Sequence, residues 1–226
     1  MITVFVRKIE YFSNEEKDNI INSLSECALT RLNKKRNEDL HLASLCALSL
    51  LTNEQRANLS YKENGAPFFK TLDNDVSISH SKTYVAIAVS SSKDEPVGID
   101  IEDNQMQINS RLPCVNGAGT QCLRDYYSSQ ANLVGTGVLD GPLQTKYTRF
   151  LTQNEQSALE NGTPYIKIWT KKEALYKYLK NDNTPFIKLD STLPEQYGAK
   201  FITLPIEDNT LTVCAKKGAM IQLMQK

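Results

Sequence analysis

Nothing in these 226 residues approaches the roughly 20 consecutive apolar residues of a membrane-spanning helix, so no transmembrane segment is expected. The opening Met1-Ile2-Thr3-Val4-Phe5-Val6 runs at once into charged residues and is too short for the apolar region of a signal peptide, which makes the cytoplasm the expected compartment. An excess of charge is missing too. Lys plus Arg and Asp plus Glu number 26 each, so no overall field draws the chain to nucleic acid or to an anionic membrane, and any partner must be recognised by a local site. Cysteine is sparse: Cys27, Cys46, Cys114, Cys122 and Cys214 are too scattered for a secreted disulfide scaffold and show no Cys-x-x-Cys zinc spacing. Reduced, mostly structural thiols are expected.

What is present is enough for an ordinary core, with 40% apolar residues and ten tyrosines, arranged as one domain or as two small lobes. Residues 2 to 6 read as a strand, and Ser13-Asn14-Glu15-Glu16 is a capping box that opens a helix running towards Leu32. Leu40, Ala43, Cys46, Ala47, Leu50 and Leu51 repeat at helical spacing in a second helix. Strands are predicted between Leu59 and Val89, around the turn Asn64-Gly65-Ala66-Pro67, and again over Val97 to Glu102. From Asp103 to about Tyr147 periodicity fades into a Gly-, Ser-, Asn- and Gln-rich stretch. Helical signals return with the capping box Thr152-Gln153-Asn154-Glu155 and with Thr163-Pro164, and the tail reads as three strands near 201–204, 210–215 and 220–223. This predicts an α+β chain of two lobes, 1–99 and 100–226, the second carrying a loop-like insert at about 104–147.

Two segments carry candidate chemistry. In Val97-Gly98-Ile99-Asp100-Ile101-Glu102 the period of a strand puts Asp100 and Glu102 on one face. Such a pair either holds a hard divalent cation or forms the solvated face of a strand. In the helix Trp169-Thr170-Lys171-Lys172-Glu173-Ala174-Leu175-Tyr176-Lys177, positions 169, 173 and 177 stack on one face, as a site or as an intrahelical Glu173–Lys177 ion pair beside a half-buried Trp.

Together the two segments resemble the signature of the 4'-phosphopantetheinyl transferases of the Sfp type, a Val-Gly-Ile-Asp-x-Glu strand followed by a Trp-Ser/Thr-x-Lys-Glu-x-x-x-Lys helix. Asn64-Gly65-Ala66-Pro67 resembles the family's turn, Ile78-Ser79-His80-Ser81 its Ile-Ser-His-Ser element, and Thr148-Arg149-Phe150-Leu151-Thr152-Gln153-Asn154-Glu155 its Arg-Phe-Phe-Thr-x-x-Glu stretch, in the family's order. The resemblance implies two similar α+β lobes related by a pseudo-two-fold axis, with the insert between strand and helix of the second lobe. It implies a monomer that moves the phosphopantetheine arm of coenzyme A to a serine of an apo acyl or peptidyl carrier protein. Asp100, Glu102 and Glu173 would bind Mg2+, with Glu173 as the catalytic base and Lys177 stabilising the leaving phosphate. His80 and Ser79, the amides of Gly65 and Ala66, Lys172 and His41 would contact coenzyme A.

The departures from the family pattern are Ala66 where a Lys is usual and His41 where an Arg is common, which Lys34, Lys35 and Arg36 could offset. The insert is roughly 25 residues longer than the usual connection, a length at which a loop is normally functional or disordered. Leu133, Val138 and Leu139 within it are candidates for carrier docking, and Cys114 and Cys122 are expected to be incidental. A non-catalytic module binding coenzyme A or a carrier protein is the alternative reading, and a magnesium-dependent pyrophosphate hydrolase a third.

Overall fold

The computed structural model describes residues 1–23, 32, 38–51, 59–62, 65–104, 149–180 and 184–225. The insert residues Leu133, Val138 and Leu139, the basic run Lys34 to Arg36, Asn64, and Cys27, Cys114 and Cys122 lie outside the described residues.

The fold is mixed α+β. Strand β1 (Ile2–Lys8) is followed by helices α1 (Asn14–Ser23) and α2 (Glu38–Leu51), the hairpin β2 (Leu59–Tyr61) and β3 (Pro67–Phe69), then β4 (Val76–His80), β5 (Tyr84–Ser90) and β6 (Val97–Asp103). The second half contributes α3 (Gln153–Glu160), α4 (Tyr165–Leu179), β7 (Ala199–Ile206), β8 (Asn209–Lys216) and β9 (Ile221–Gln225). One sheet has the order β4-β5-β1-β9 and another β6-β8-β7, while β2 and β3 pair by themselves. Among the described residues no helix is long and apolar enough to cross a membrane.

Period-two alternation sorts the strand side chains into layers. Phe5, Val85, Ile87 and Val89 point to one face of the first sheet and pack against Ile20 of α1 and Leu42, Ala43, Cys46, Ala47 and Leu48 of α2. Ile2, Val4, Val6, Ala86 and Ala88 point the other way and meet Val97, Ile99, Ile101, Leu211, Val213 and Ala215 of the second sheet. That sheet's outer face is covered by Ala174, Leu175 and Tyr178 of α4 against Ala199 and Cys214. The order of layers is therefore helix, sheet, sheet, helix, with strands buried on both faces and correspondingly rich in Val, Ile and Ala. Burial pushes the Cys214 thiol well above its ordinary range, which suits a packing role.

The last strand returns to the first sheet: β9 runs parallel to β1, with Ile2 opposite Ile221 and Val6 opposite Gln225. The division expected at residues 99 and 100 falls inside β6. Helix α4 starts one residue later than Thr163-Pro164 suggests, because Pro164 stays extended (φ −57°, ψ 134°) and itself occupies the cap position without a side-chain bond.

Both capping boxes are formed. At α3 the Thr152 side chain accepts from Glu155 N, and the Glu155 carboxylate accepts from Thr152 N. At α1 Ser13 Oγ accepts from Glu16 N at 3.1 Å, and Ser13 N donates to Glu16 Oε2 at 2.8 Å. Arg7 Nη1 adds a bond of 2.7 Å to Glu16 Oε1. Burial pushes the Glu16 carboxyl up, but the bonds from Arg7 and Ser13 outweigh it and hold the group below its ordinary 4.5. A depressed folded value stabilises above the unfolded value, and this contribution is lost as pH falls through the folded one. The melting temperature of Glu16→Gln should therefore fall below that of the parent at pH 7, and the gap should close as pH drops below about 4. A gap that persists at low pH would assign the effect to packing.

Candidate active site

Strands β4 and β6 are the edges of their two sheets, and side chains rather than backbone bonds join them. At alternate positions, Asp75 Oδ2 accepts from Val97 N (2.9 Å), Ser77 Oγ from Ile99 N (3.1 Å) and Ser79 Oγ from Ile101 N (3.4 Å). The seam occupies amides of an edge strand that would otherwise need solvent or another strand. It also lays Ser79 beside Asp100.

The other face of β6 carries Gly98, Asp100 and Glu102, which lie under α4. A Cβ on Gly98 would meet the carbonyl oxygen of Ala174 at 1.9 Å and the amide nitrogen of Tyr178 at 2.6 Å. Only glycine allows the helix so close, and the approach brings Glu173 and Lys177 over the two carboxylates.

At the centre stands Asp100, 2% exposed. Its Oδ1 accepts from Ser79 Oγ at 2.8 Å and from Lys177 Nζ at 2.7 Å, while its Oδ2 is buried without a hydrogen-bond partner among the described residues. Lys177 Nζ also reaches Ser79 Oγ at 3.1 Å, so the one hydroxyl donates once and accepts twice. Glu102 is buried alongside, 8% exposed. Glu173, one turn before Lys177, is half-buried. Burial, reinforced by the Asp100 carboxylate and only partly opposed by the Lys177 ammonium, pushes its carboxyl up to about 7. A carboxyl held near neutrality can both take and give a proton at physiological pH. For Lys177 burial works against the charge, but Asp100, Glu173 and Glu102 outweigh it and raise its affinity for the proton.

Asp100, Glu102, Glu173 and Lys177 are thus brought together, with Ser79. Among the described residues no group of three or more His, Cys, Asp or Glu side chains is set closely enough to hold a metal ion, and the cation lying at Asp100 is Lys177. The donors are hard carboxylate oxygens, and the orphaned Asp100 Oδ2 is the kind of buried acceptor that a hard cation satisfies, so the residues suit Mg2+ by chemistry.

The two histidines meet although 39 positions separate them (80 minus 41). His41 on α2 and His80 at the end of β4 form a T-shaped pair with ring centroids 6.0 Å apart. Gly65 takes φ +82° and its amide donates to Lys62 O at 2.9 Å, closing the turn.

Lys172 stands elsewhere. It is 0% exposed, pointing away from Asp100 into a second buried cluster, where its Nζ lies 2.7 Å from Glu155 Oε2 and also donates to the Leu189 carbonyl. Both Glu155 oxygens are fully used: Oε1 accepts from Ser191 N and Oγ at 2.9 and 2.7 Å, and Oε2 from Thr152 N and Lys172. Burial drives the Lys172 ammonium below its ordinary range, against the pull of Glu155. The Lys172 position expected to contact phosphate is in this structure a sealed ion pair joining α3, α4 and the 189–191 loop.

Three contributors escaped the sequence reading: Asp75, Ser77 and Lys180. Lys180 Nζ donates to Asp75 Oδ1 at 2.8 Å and to the Val76 carbonyl, so one carboxylate ties the start of β6 to the end of α4. The visible signal is the polar alternation Asp75, Ser77, Ser79 along a strand that is otherwise apolar. No protein-family model matches the chain, and no curated protein matches it.

Proposed function

We propose that this protein transfers 4'-phosphopantetheine from coenzyme A to a serine hydroxyl of an apo acyl or peptidyl carrier protein, with Mg2+ held by Asp100, Glu102 and Glu173. The observation that carries the reading is the convergence of β6 and α4, which sets a buried Asp100 with one oxygen unsatisfied beside Glu102, under Glu173 and Lys177 of the helix. An isolated structural ion pair needs no such surplus of buried carboxylates, since each costs desolvation. The resemblance in Val97 to Glu102 and Trp169 to Lys177 supplies the substrate class.

The bound ion would polarise the phosphoryl group under attack. Glu173 takes the serine proton, directly or through a water. Lys177 neutralises charge on the departing 3',5'-ADP. His80 and His41, whose rings meet at 6.0 Å, would contact the nucleotide end, and Ser79 hydrogen-bonds both Asp100 and Lys177. The opposed layering, α1 and α2 outside the first sheet and α4 outside the second, supports two lobes related by a pseudo-two-fold axis, with β9 crossing between them. We assign the protein to the cytoplasm as a monomer, with the carrier docking by way of the insert.

The test is the intact mass of several apo carrier proteins after incubation with this protein, coenzyme A and Mg2+, beside Glu173→Ala. A gain on the order of 340 Da on the carrier, absent with Glu173→Ala, is the expected result; it is the mass of one phosphopantetheine by formula. No gain on any carrier, with coenzyme A still bound, would favour a non-catalytic binding module, for which Ala66 and His41 in place of basic residues would then be the first explanation.

A further inference from the structure

The fold treats the carboxylate–lysine pairs at Glu155 and at Asp100 in opposite ways. Around Glu155 every acceptor position is filled, and Lys172 is 0% exposed, so that pair is closed. Around Asp100 the pairing is half finished. Oδ1 carries both Ser79 and Lys177, Oδ2 has no hydrogen-bond partner among the described residues, and Glu102 and Glu173 lie within electrostatic reach of the same ammonium. Lys177 differs from Lys172 in a second respect: its side chain is 26% exposed, so a four-carbon stem can withdraw the ammonium towards solvent without moving α4.

Resting on the magnesium-site reading above, we infer that Lys177 is a resident counter-ion, which neutralises Asp100 until a divalent ion binds and then leaves Asp100 Oδ1, so that lysine and metal compete for one carboxylate. Without a cation the Asp100 and Glu173 carboxylates repel each other, and the Lys177 ammonium, which feels Asp100, Glu173 and Glu102 together, keeps the site assembled at rest. When a divalent ion reaches the carboxylates, two positive centres within ~4 Å repel strongly, and the one on a flexible stem yields. The displaced ammonium moves to the open side of the site, where an incoming phosphate would arrive. Loading the ion and arming Lys177 for the phosphate are then one event.

The experiment uses the full chain without coenzyme A or carrier, with Mn2+ as a spectroscopically visible stand-in for Mg2+ counted by the paramagnetic resonance of the free ion. Lys177→Gln should bind Mn2+ at least about tenfold more tightly than the parent, because a unit charge has been removed from beside the ion, whereas Lys177→Arg should stay near the parent. In the parent protein, acylation of Lys177 by an amine reagent, read by peptide mass spectrometry, should quicken when Mg2+ is added; this arm does not depend on any variant folding. Mn2+ binding by the parent that is unchanged or weakened in Lys177→Gln, or labelling that does not respond to Mg2+, overturns the competition and leaves the metal site standing. No Mn2+ binding by parent or variant removes the metal site itself, and the competition with it.

Discussion

Replacing Lys172 by methionine should cost about 3–5 kcal/mol of stability, because it leaves the Glu155 carboxylate charged in an interior that no longer compensates it. Four contacts show how fully the present pairing is closed: Glu155 accepts from Lys172 at 2.7 Å, from Thr152 N at 2.8 Å, and from Ser191 N and Oγ at 2.9 and 2.7 Å. The three neutral donors remain in the variant, so the loss isolates the ammonium. A domain of this size loses roughly 2–4 °C of Tm per kcal/mol, which makes the effect plain in a thermal melt. Adding Glu155→Gln should recover part of the loss, since it removes the uncompensated charge and its one carbonyl oxygen keeps an acceptor for Ser191, while the amide NH2 replaces the oxygen that faced Thr152 N. The same variants separate two readings of Lys172. As a phosphate contact it would raise KM for coenzyme A in the folded fraction; as the sealed pair of Lys172 and Glu155 it should change the folded fraction and leave KM alone. A loss under about 1 kcal/mol in the single variant would show that the Lys172 ammonium does little to hold this cluster together.

That lysine shows where the sequence stops being legible. Lys172 and Lys177 sit on the same helix, both near Glu173 in sequence, and nothing in their spacing says which one is buried. The answer depends on Glu155, 17 residues upstream, folding back across α4. Local signals fared differently because their physics is local. The two capping boxes, at Ser13 and at Thr152, need only four consecutive residues each and are formed as the sequence implies. Alternation along Val97 to Glu102 gave the correct facing of Asp100 and Glu102, but not that the face is covered by a helix. The order of strands was hidden for the same reason: that β9 joins β1 in parallel depends on a pairing between the two ends of the chain. The seam from Asp75, Ser77 and Ser79 to β6 spans 22 positions at each rung, out of reach of any periodicity, although its own period of two is visible once the strand is placed. Convergence of Asp100 with Glu173 and Lys177 was inferred from the resemblance; the direct Lys177–Asp100 bond and the empty Oδ2 were not.

Gly98→Ala is expected to damage the site more than its size suggests. The added methyl group would lie 1.9 Å from the Ala174 carbonyl oxygen, 2.6 Å from Tyr178 N and 3.0 Å from the Ala174 carbonyl carbon. All three are backbone atoms of α4, so no rotamer change relieves the clash, and the helix itself must retreat from β6 by about 1 Å or more to restore van der Waals contact. Overpacking of this kind costs roughly 1–3 kcal/mol, occasionally more. The more telling consequence is geometric. Glu173 lies just before Ala174 and Lys177 one turn beyond Glu173, so the retreat lengthens the 2.7 Å contact between Lys177 and Asp100 and withdraws Glu173 from both carboxylates of β6. A misplacement of about 1 Å at a catalytic centre can lower turnover by about a hundredfold. Gly218→Ala is the control: its Cβ would meet no atom within 4 Å, and only the strain of φ +92° applies. It should lower stability without touching Lys177. In the Gly98 variant, the proposed transfer by the fraction that remains folded should fall by about a hundredfold while the Gly218 variant keeps the parent's turnover per folded molecule. Equal turnover in both would mean that α4 carries no group of the reaction, and would move the chemistry away from Glu173 and Lys177.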